Sequence, residues 1–325
     1  MIYLKKIICL LIVLLIMISC DDDRQNFDKA IISLTPKNFS EVNSEYDDYN
    51  ADLNIIWSRY SFSLIFSTNR FSQGNDFDFI HYDCDFFVNL VNGEASVNAW
   101  LVNDSTINVI NSQYNEYGPY TTCQNIYGCD DYRFFYTTDE DGNLDIKMMY
   151  VNYENIPTDR ISLNHINSDS NEGYVTIFEN ADTNREIIYF ASDRDGQYDI
   201  YRASGEVNKN IEQSNSVEIE KIDIFNSDKD DHCPFIHNNI MVFASKRAGG
   251  YGGYDLWYSK YDDTQWSSPV NFGTRINSEY NEFRPVIFET ERDNFFNNLM
   301  LFSSDRPGGK GMFDLYYCGL NKNFN

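Results

Sequence analysis

Short apolar runs recur along the chain, each ending in small residues, crossing a polar glycine-rich turn and resuming as a strand of alternating bulky groups. The fullest copy is Ile240–Tyr258. Ile240 to Phe243 is continuously apolar, as a strand packed on both faces must be. Gly249, Gly250, Gly252 and Gly253 allow the backbone reversal that follows. Tyr254-Asp255-Leu256-Trp257 then places successive side chains on opposite faces. This pattern predicts a β-hairpin.

Four further copies align with it. They are Phe66–Arg70 leading to Phe77-Asp78-Phe79, Tyr136–Glu140 leading to Leu144-Asp145-Ile146, Phe190–Arg194 leading to Tyr198-Asp199-Ile200-Tyr201, and Phe302–Arg306 leading to Phe313-Asp314-Leu315-Tyr316. An arginine closes the first strand in every copy but one, where Glu140 stands instead. The shared aspartates fall at 78, 145, 199, 255 and 314, in steps of 67, 54, 56 and 59 residues. A second phrase precedes each hairpin: Asn-Ser, a few polar residues, then an acid. It reads Asn43-Ser44 to Asp48, Asn111-Ser112 to Glu116 with Pro119, Asn167-Ser168 to Glu172, Asn226-Ser227 to Asp231 with Pro234, and Asn277-Ser278 to Glu282 with Pro285. A supersecondary unit repeating at this length means a solenoid or a propeller.

The hairpin resembles the WD40-like (PD40-type) repeats of TolB-type β-propellers, with their Ser-Asp-Arg-x-Gly-Gly-x-Asp-[Ile/Leu]-Tyr signature. Trp266, Pro269, Asn271-Phe272-Gly273 and Ile276-Asn277-Ser278 look most like versions in envelope lipoproteins of Bacteroidota-like bacteria. The resemblance covers residues 31–325 and implies a single all-β propeller of four-stranded blades. It also implies that the strand aspartates are structural, accepting hydrogen bonds from turn amides or from neighbouring Ser and Arg. Counting hairpins gives five blades; six stay open if residues 79–110 hide a degenerate one, and otherwise that stretch is an enlarged loop or long strands. The last repeat ends too soon for an outer strand, whereas Ile31–Leu34 with Pro36-x-Asn38-Phe39 matches the outer-strand phrase at Pro269-x-Asn271-Phe272. An N-terminal strand is therefore expected to complete the C-terminal blade, hiding two sheet edges.

Composition adds a location. Lys5 and Lys6 precede an apolar run, Ile7 to Ile18, too short to span a membrane and stay. Met17-Ile18-Ser19-Cys20 looks like a lipobox, which makes residues 1–19 a signal peptide, Cys20 a lipidated N-terminus and 20–30 an acidic tether. Asp21–Asp23 resemble a surface-export signal, so the expected place is the outer membrane, surface-exposed. The chain carries 25 basic and 50 acidic residues; without Lys5 and Lys6 the basic count is 23, and the net charge moves from −25 to −27. Such a field excludes a nucleic-acid binder. Beyond Cys20 lie Cys84, Cys123, Cys129, Cys233 and Cys318, of which Cys123 and Cys129 bracket an inserted stretch and are the expected disulfide.

Candidate chemistry is sparse. Asp139, Asp141 and Asp145 read like a calcium loop, but Asp-Gly is also what the hairpin turn requires, and no metal or cofactor is expected. His81, His165, His232 and His237 lie in no recognisable catalytic context, and no nucleophile elbow is present. Tyr46, Tyr114, Tyr251 and Tyr280 are loop aromatics that could stack on sugars. The expected role is non-catalytic: an envelope interaction module with protein or peptidoglycan partners. The alternative is a glycan-binding or glycan-cleaving propeller, since five-bladed propellers include glycosidases that aim carboxylates into a central funnel.

Overall fold

The computed structural model describes residues 27–55, 59–122, 131–152, 154–180 and 184–322. They form five antiparallel blades arranged as a propeller. Inner strands are Asp48–Ile55, Glu116–Thr121, Glu172–Asn180, Asp231–His237 and Glu282–Phe288, in blades 1 to 5. The second and third strands of each blade are the two arms of the predicted hairpin. Residues 79–110 contain no sixth blade. They supply the 11-residue third strand of blade 1 (Asp78–Val88), its outer strand (Glu94–Leu101) and a single-turn helix at Ser105–Ile110.

Lys37–Asn38 pairs with Tyr316–Tyr317 and completes blade 5, so the ring closes with N-terminal chain, as expected. The strand responsible is not Ile31–Leu34. Ile31–Ile32 runs parallel to Glu94–Ala95 and adds a fifth strand to blade 1. Ile32 is buried, and its backbone N–H donates to Asn297 Oδ1 of blade 5 at 3.0 Å, so this segment seals the seam between the first and last blades.

Physical contacts account for both repeated phrases. The Asn of the second phrase acts as a short extra strand against the preceding blade. Leu256 N–H donates to Asn277 Oδ1 at 2.8 Å, and Asn277 Nδ2 donates back to the Leu256 carbonyl at 3.0 Å. Asn111, Asn167 and Asn226 bond Phe79, Ile146 and Ile200 in the same two-way fashion, and Asn43 bonds Leu315 across the closure. The acid that follows is fully buried and accepts from the Ser of its own phrase. In four blades it also meets the hairpin arginine: Arg70–Asp48 at 2.6 Å, Arg194–Glu172 at 3.1 Å, Arg247–Asp231 at 2.6 Å and Arg306–Glu282 at 2.8 Å. Each of these guanidiniums lies over the hairpin Phe, 5.0 to 5.6 Å from the ring centre. Their Nε–H groups donate to the intervening Thr or Ser hydroxyl. Phe, Ser, Arg and the distant acid thus form one buried, hydrogen-bonded unit per blade. In blade 2 Glu140 replaces the arginine, and burial pushes the Glu116 carboxyl up to about 7.

The strand aspartates occupy equivalent places with different partners. Asp255 accepts from the turn amides of Tyr251 (2.6 Å) and Gly252 (3.2 Å), and Asp314 from Gly311 N–H (3.0 Å). Asn271 and Asn38 donate to these same two carboxylates from the outer strands. Asp199 pairs with Lys221, Asp145 accepts from Asn143 at 3.3 Å, and Asp78 is half-buried, which raises its carboxyl. Cys84, Cys233 and Cys318 are buried free thiols. Cys20, Cys123 and Cys129 lie outside the described residues.

A candidate active-site funnel on the propeller axis

Every inner strand carries a β-bulge at one place. Register breaks fall between Tyr49 and Asp52, Tyr117 and Tyr120, Gly173 and Thr176, His232 and Phe235, and Phe283 and Val286. The bulged residues Asn50, Gly118, Tyr174, Cys233 and Arg284 all have φ between 48° and 61°. Only glycine adopts this region freely, so four of the five bulges hold a side chain there at some conformational cost. Pro119, Pro234 and Pro285 follow directly, where a missing N–H leaves no ladder bond unmade. The bulge turns each strand so that these side chains meet on the axis.

There they close the channel. The Tyr174 ring covers Gly118, where an added Cβ would come within 2.8 Å of it. Arg284, fully buried, lies over the same ring at 5.8 Å and donates to the carbonyls of Pro119 (3.0 Å) and Pro234 (3.4 Å). It joins blade 5 to blades 2 and 4, and among the described residues it forms no ion pair.

Beyond this plug the inner strands diverge around a polar funnel of about 340 Å3. Asp52 lies near its floor, 3% exposed, and its Oδ2 accepts from Thr121 N–H (2.9 Å), Thr121 Oγ1 (3.0 Å) and Asn54 Nδ2 (3.0 Å). Burial raises its carboxyl to about 6, against the lowering pull of the Arg284 charge. On the wall Glu289 holds Arg59 at 2.7 Å, and His237, whose pKa is lowered by burial, stands beside them. Arg133 closes another side, gripped by Glu186 and by Glu212 at 3.1 Å. Phe178 and Phe288 supply apolar wall. Two carboxyl groups, one held neutral by burial and one paired with a cation, therefore share a concave site rich in hydrogen-bonding groups.

Of the candidate residues singled out in the sequence, His237 lines the funnel and the other described ones lie elsewhere. Of the calcium candidates, Asp139 accepts from Asn115 N–H and Nδ2 (2.9 and 2.6 Å), and Asp141 pairs with Lys147 at 2.9 Å. Among the described residues no group of three or more His, Cys, Asp or Glu could hold a metal ion. Tyr46, Tyr114, Tyr251 and Tyr280 sit on loops at the end of the channel where the inner strands begin. At that end Tyr49, Phe77, Tyr117 and Phe313 form one cluster of rings, and Tyr174, Tyr198, His232, Tyr254 and Phe283 a second. Sequence reading missed Asp52, Glu289 and Arg284 because none belongs to a repeated phrase. Superposing the inner strands would have exposed Asp52: its equivalents are Tyr120, Thr176, Phe235 and Val286, and it alone carries a carboxyl group.

No protein-family model matches the sequence, and no curated protein matches it. Solved structures do match in fold. An α-L-arabinofuranosidase from Podospora anserina, solved with cellotriose, superposes with a TM-score of 0.52 at 8% identity, covering 91% of this chain and 98% of that one. An endo-arabinase from Bacteroides thetaiotaomicron gives 0.54 at 10% identity, over 88% and 97%. An endo-1,4-β-xylanase from the same organism gives 0.53 at 11%, over 85% and 91%. At these identities the likeness is one of fold: this chain is a five-bladed β-propeller of the shape found in glycoside hydrolases. Two expectations are corrected by it. The kinship expected with TolB-type repeat propellers does not emerge, because the matching structures are glycosidase propellers. The reading as a non-catalytic interaction module gives way to its alternative, because the structures that share this architecture cleave glycans.

Proposed function

We propose that the chain is a carbohydrate-acting propeller of the glycoside-hydrolase kind, working at the axial funnel and held at the bacterial cell envelope by lipid on Cys20. The observation that carries the first part is Asp52, a carboxyl group kept protonated near pH 6 by burial on the floor of a polar funnel. Glycosidic cleavage needs one carboxylic acid to protonate the leaving oxygen and a second carboxylate to activate water or attack the sugar. Asp52 suits the first role. Glu289, oriented by Arg59, suits the second. Asn54, Thr121, His237 and Asn238 offer donors and acceptors for sugar hydroxyls, with Phe288 as an apolar wall.

The test is hydrolysis of arabinan, xylan and fructan, the polymer classes suggested by the matching folds, by wild type, Asp52→Asn and Glu289→Gln. Each substitution should lower kcat by about 10²-fold or more, the usual contribution of a general acid or base. Turnover unchanged in both variants would remove the funnel from the reaction.

A further inference from the structure

We propose that the tip of the blade 1 outer hairpin, with the neighbouring turn of blade 5, is a membrane-contact surface that sets the ring against the lipid bilayer. The proposal rests on the lipid-anchor reading of Cys20 and is independent of the glycosidase reading.

Blade 1 differs from the others at its periphery. Its outer strand has 8 residues, where the other blades have 2 to 4. The tip of that hairpin carries Phe87, Leu90 and Val91, which are 58%, 60% and 76% exposed. Phe296, on the adjoining blade 5 turn, is 57% exposed. Four large apolar side chains in water at one place are a liability unless something covers them.

The path of the chain says what does. The first described residue, Phe27, packs its ring against Gly93 at this same tip. Ile31 N–H then donates to the Gly93 carbonyl at 2.9 Å, Ala30 N–H to Asn294 O at 2.7 Å, and Phe296 N–H to Ala30 O at 2.9 Å. The chain therefore leaves the propeller between the two halves of the apolar patch. Cys20 is separated from Phe27 by six residues, which span at most about 25 Å when fully extended. Acyl chains on Cys20 would hold the bilayer within that distance of Phe87, Leu90, Val91 and Phe296. Lys29, Arg292 and Lys322 at the exit are offset by Asp28, Glu291 and Asp293, so the surface offers apolar insertion rather than attraction to charged headgroups. Phe86 N–H donates to the Tyr60 carbonyl at 3.0 Å, which ties the tip to the turn after the blade 1 inner strand. The funnel mouth and the contact surface thus share one face.

The experiment uses the full, lipidated chain reconstituted into phosphatidylcholine–phosphatidylethanolamine vesicles containing a diazirine-bearing phospholipid. Photolysis should label the peptides spanning 86–92 and 295–297. The exposed-residue variant Phe87→Ser/Leu90→Ser/Val91→Ser should lose the 86–92 label while still floating with the vesicles and melting like wild type. Flotation with no label on either peptide would overturn the contact surface and leave the anchor standing. Crosslinks between copies of the chain at these residues would overturn it in favour of self-association. Failure of the wild type to float would remove the anchor, and the proposal with it.

Discussion

Where the inner strands begin, every blade sets a buried acid in the same position: Asp48, Glu116, Glu172, Asp231 and Glu282. Each meets a serine of its own phrase, and four meet an arginine. Where the same strands end, the blades place Asn54, Thr122, Phe178, His237 and Phe288 in equivalent positions, five side chains that include two phenylalanines and three different polar groups. The first end is repetition, which suits a scaffold whose five joints must all be made alike. The second end departs from the repeat, and a ligand that is not five-fold symmetric needs such a site. Repeated residues hold this ring together; unrepeated ones are where it can act.

Breaking one repeated unit should have the largest effect. Arg247→Ala leaves Asp231, wholly buried, without its cation. Removing one partner of a buried pair costs about 3–5 kcal/mol, so the denaturation midpoint should drop sharply. The closure comes next. Asn43→Ala removes two hydrogen bonds to Leu315 across the seam between the chain's two ends, at a cost of about 1–3 kcal/mol in chemical denaturation.

Blade 2 offers a subtler contrast, because its acid lacks the arginine. Glu116 titrates at about 7 in the folded protein against 4.5 for a free glutamate. The folded state therefore holds a proton that the unfolded chain has lost between these values, and stability falls as pH rises from about 4.5 to 7. Glu116→Gln should flatten that fall, by at most a few kcal/mol. Asp52, raised to about 6 from 3.8, adds a loss of the same sign and should leave a residual slope in this variant. Midpoints measured across this pH range in wild type and Glu116→Gln decide the point.

The scaffold was legible in the sequence because it repeats. The Asn-Ser-acid phrase and the Phe-Ser-x-Arg turn are distant in the chain, and the repeat showed that they belong to one unit before any contact was known. Closure was legible as well, through Pro36-x-Asn38 matching Pro269-x-Asn271, and Lys37–Asn38 does stand where Val270–Asn271 stands in blade 4. Ile31–Ile32 misled because a two-residue apolar strand does not announce its partner; its parallel pairing with Glu94–Ala95 depends on the lengthened blade 1. The funnel was illegible for a different reason. Asp52 lies two residues beyond a bulge that no local sequence signal marks, and its raised pKa comes from burial within the assembled ring.

Turnover and stability measured together on Asp52→Asn test the central claim most directly. Asparagine keeps the size of the side chain and an acceptor oxygen for Thr121 N–H but cannot give up a proton. The account predicts glycan hydrolysis by wild type, its loss in the variant, and a denaturation midpoint close to that of wild type. Hydrolysis that survives in a folded Asp52→Asn protein, or a wild type inert on every glycan offered, would contradict it.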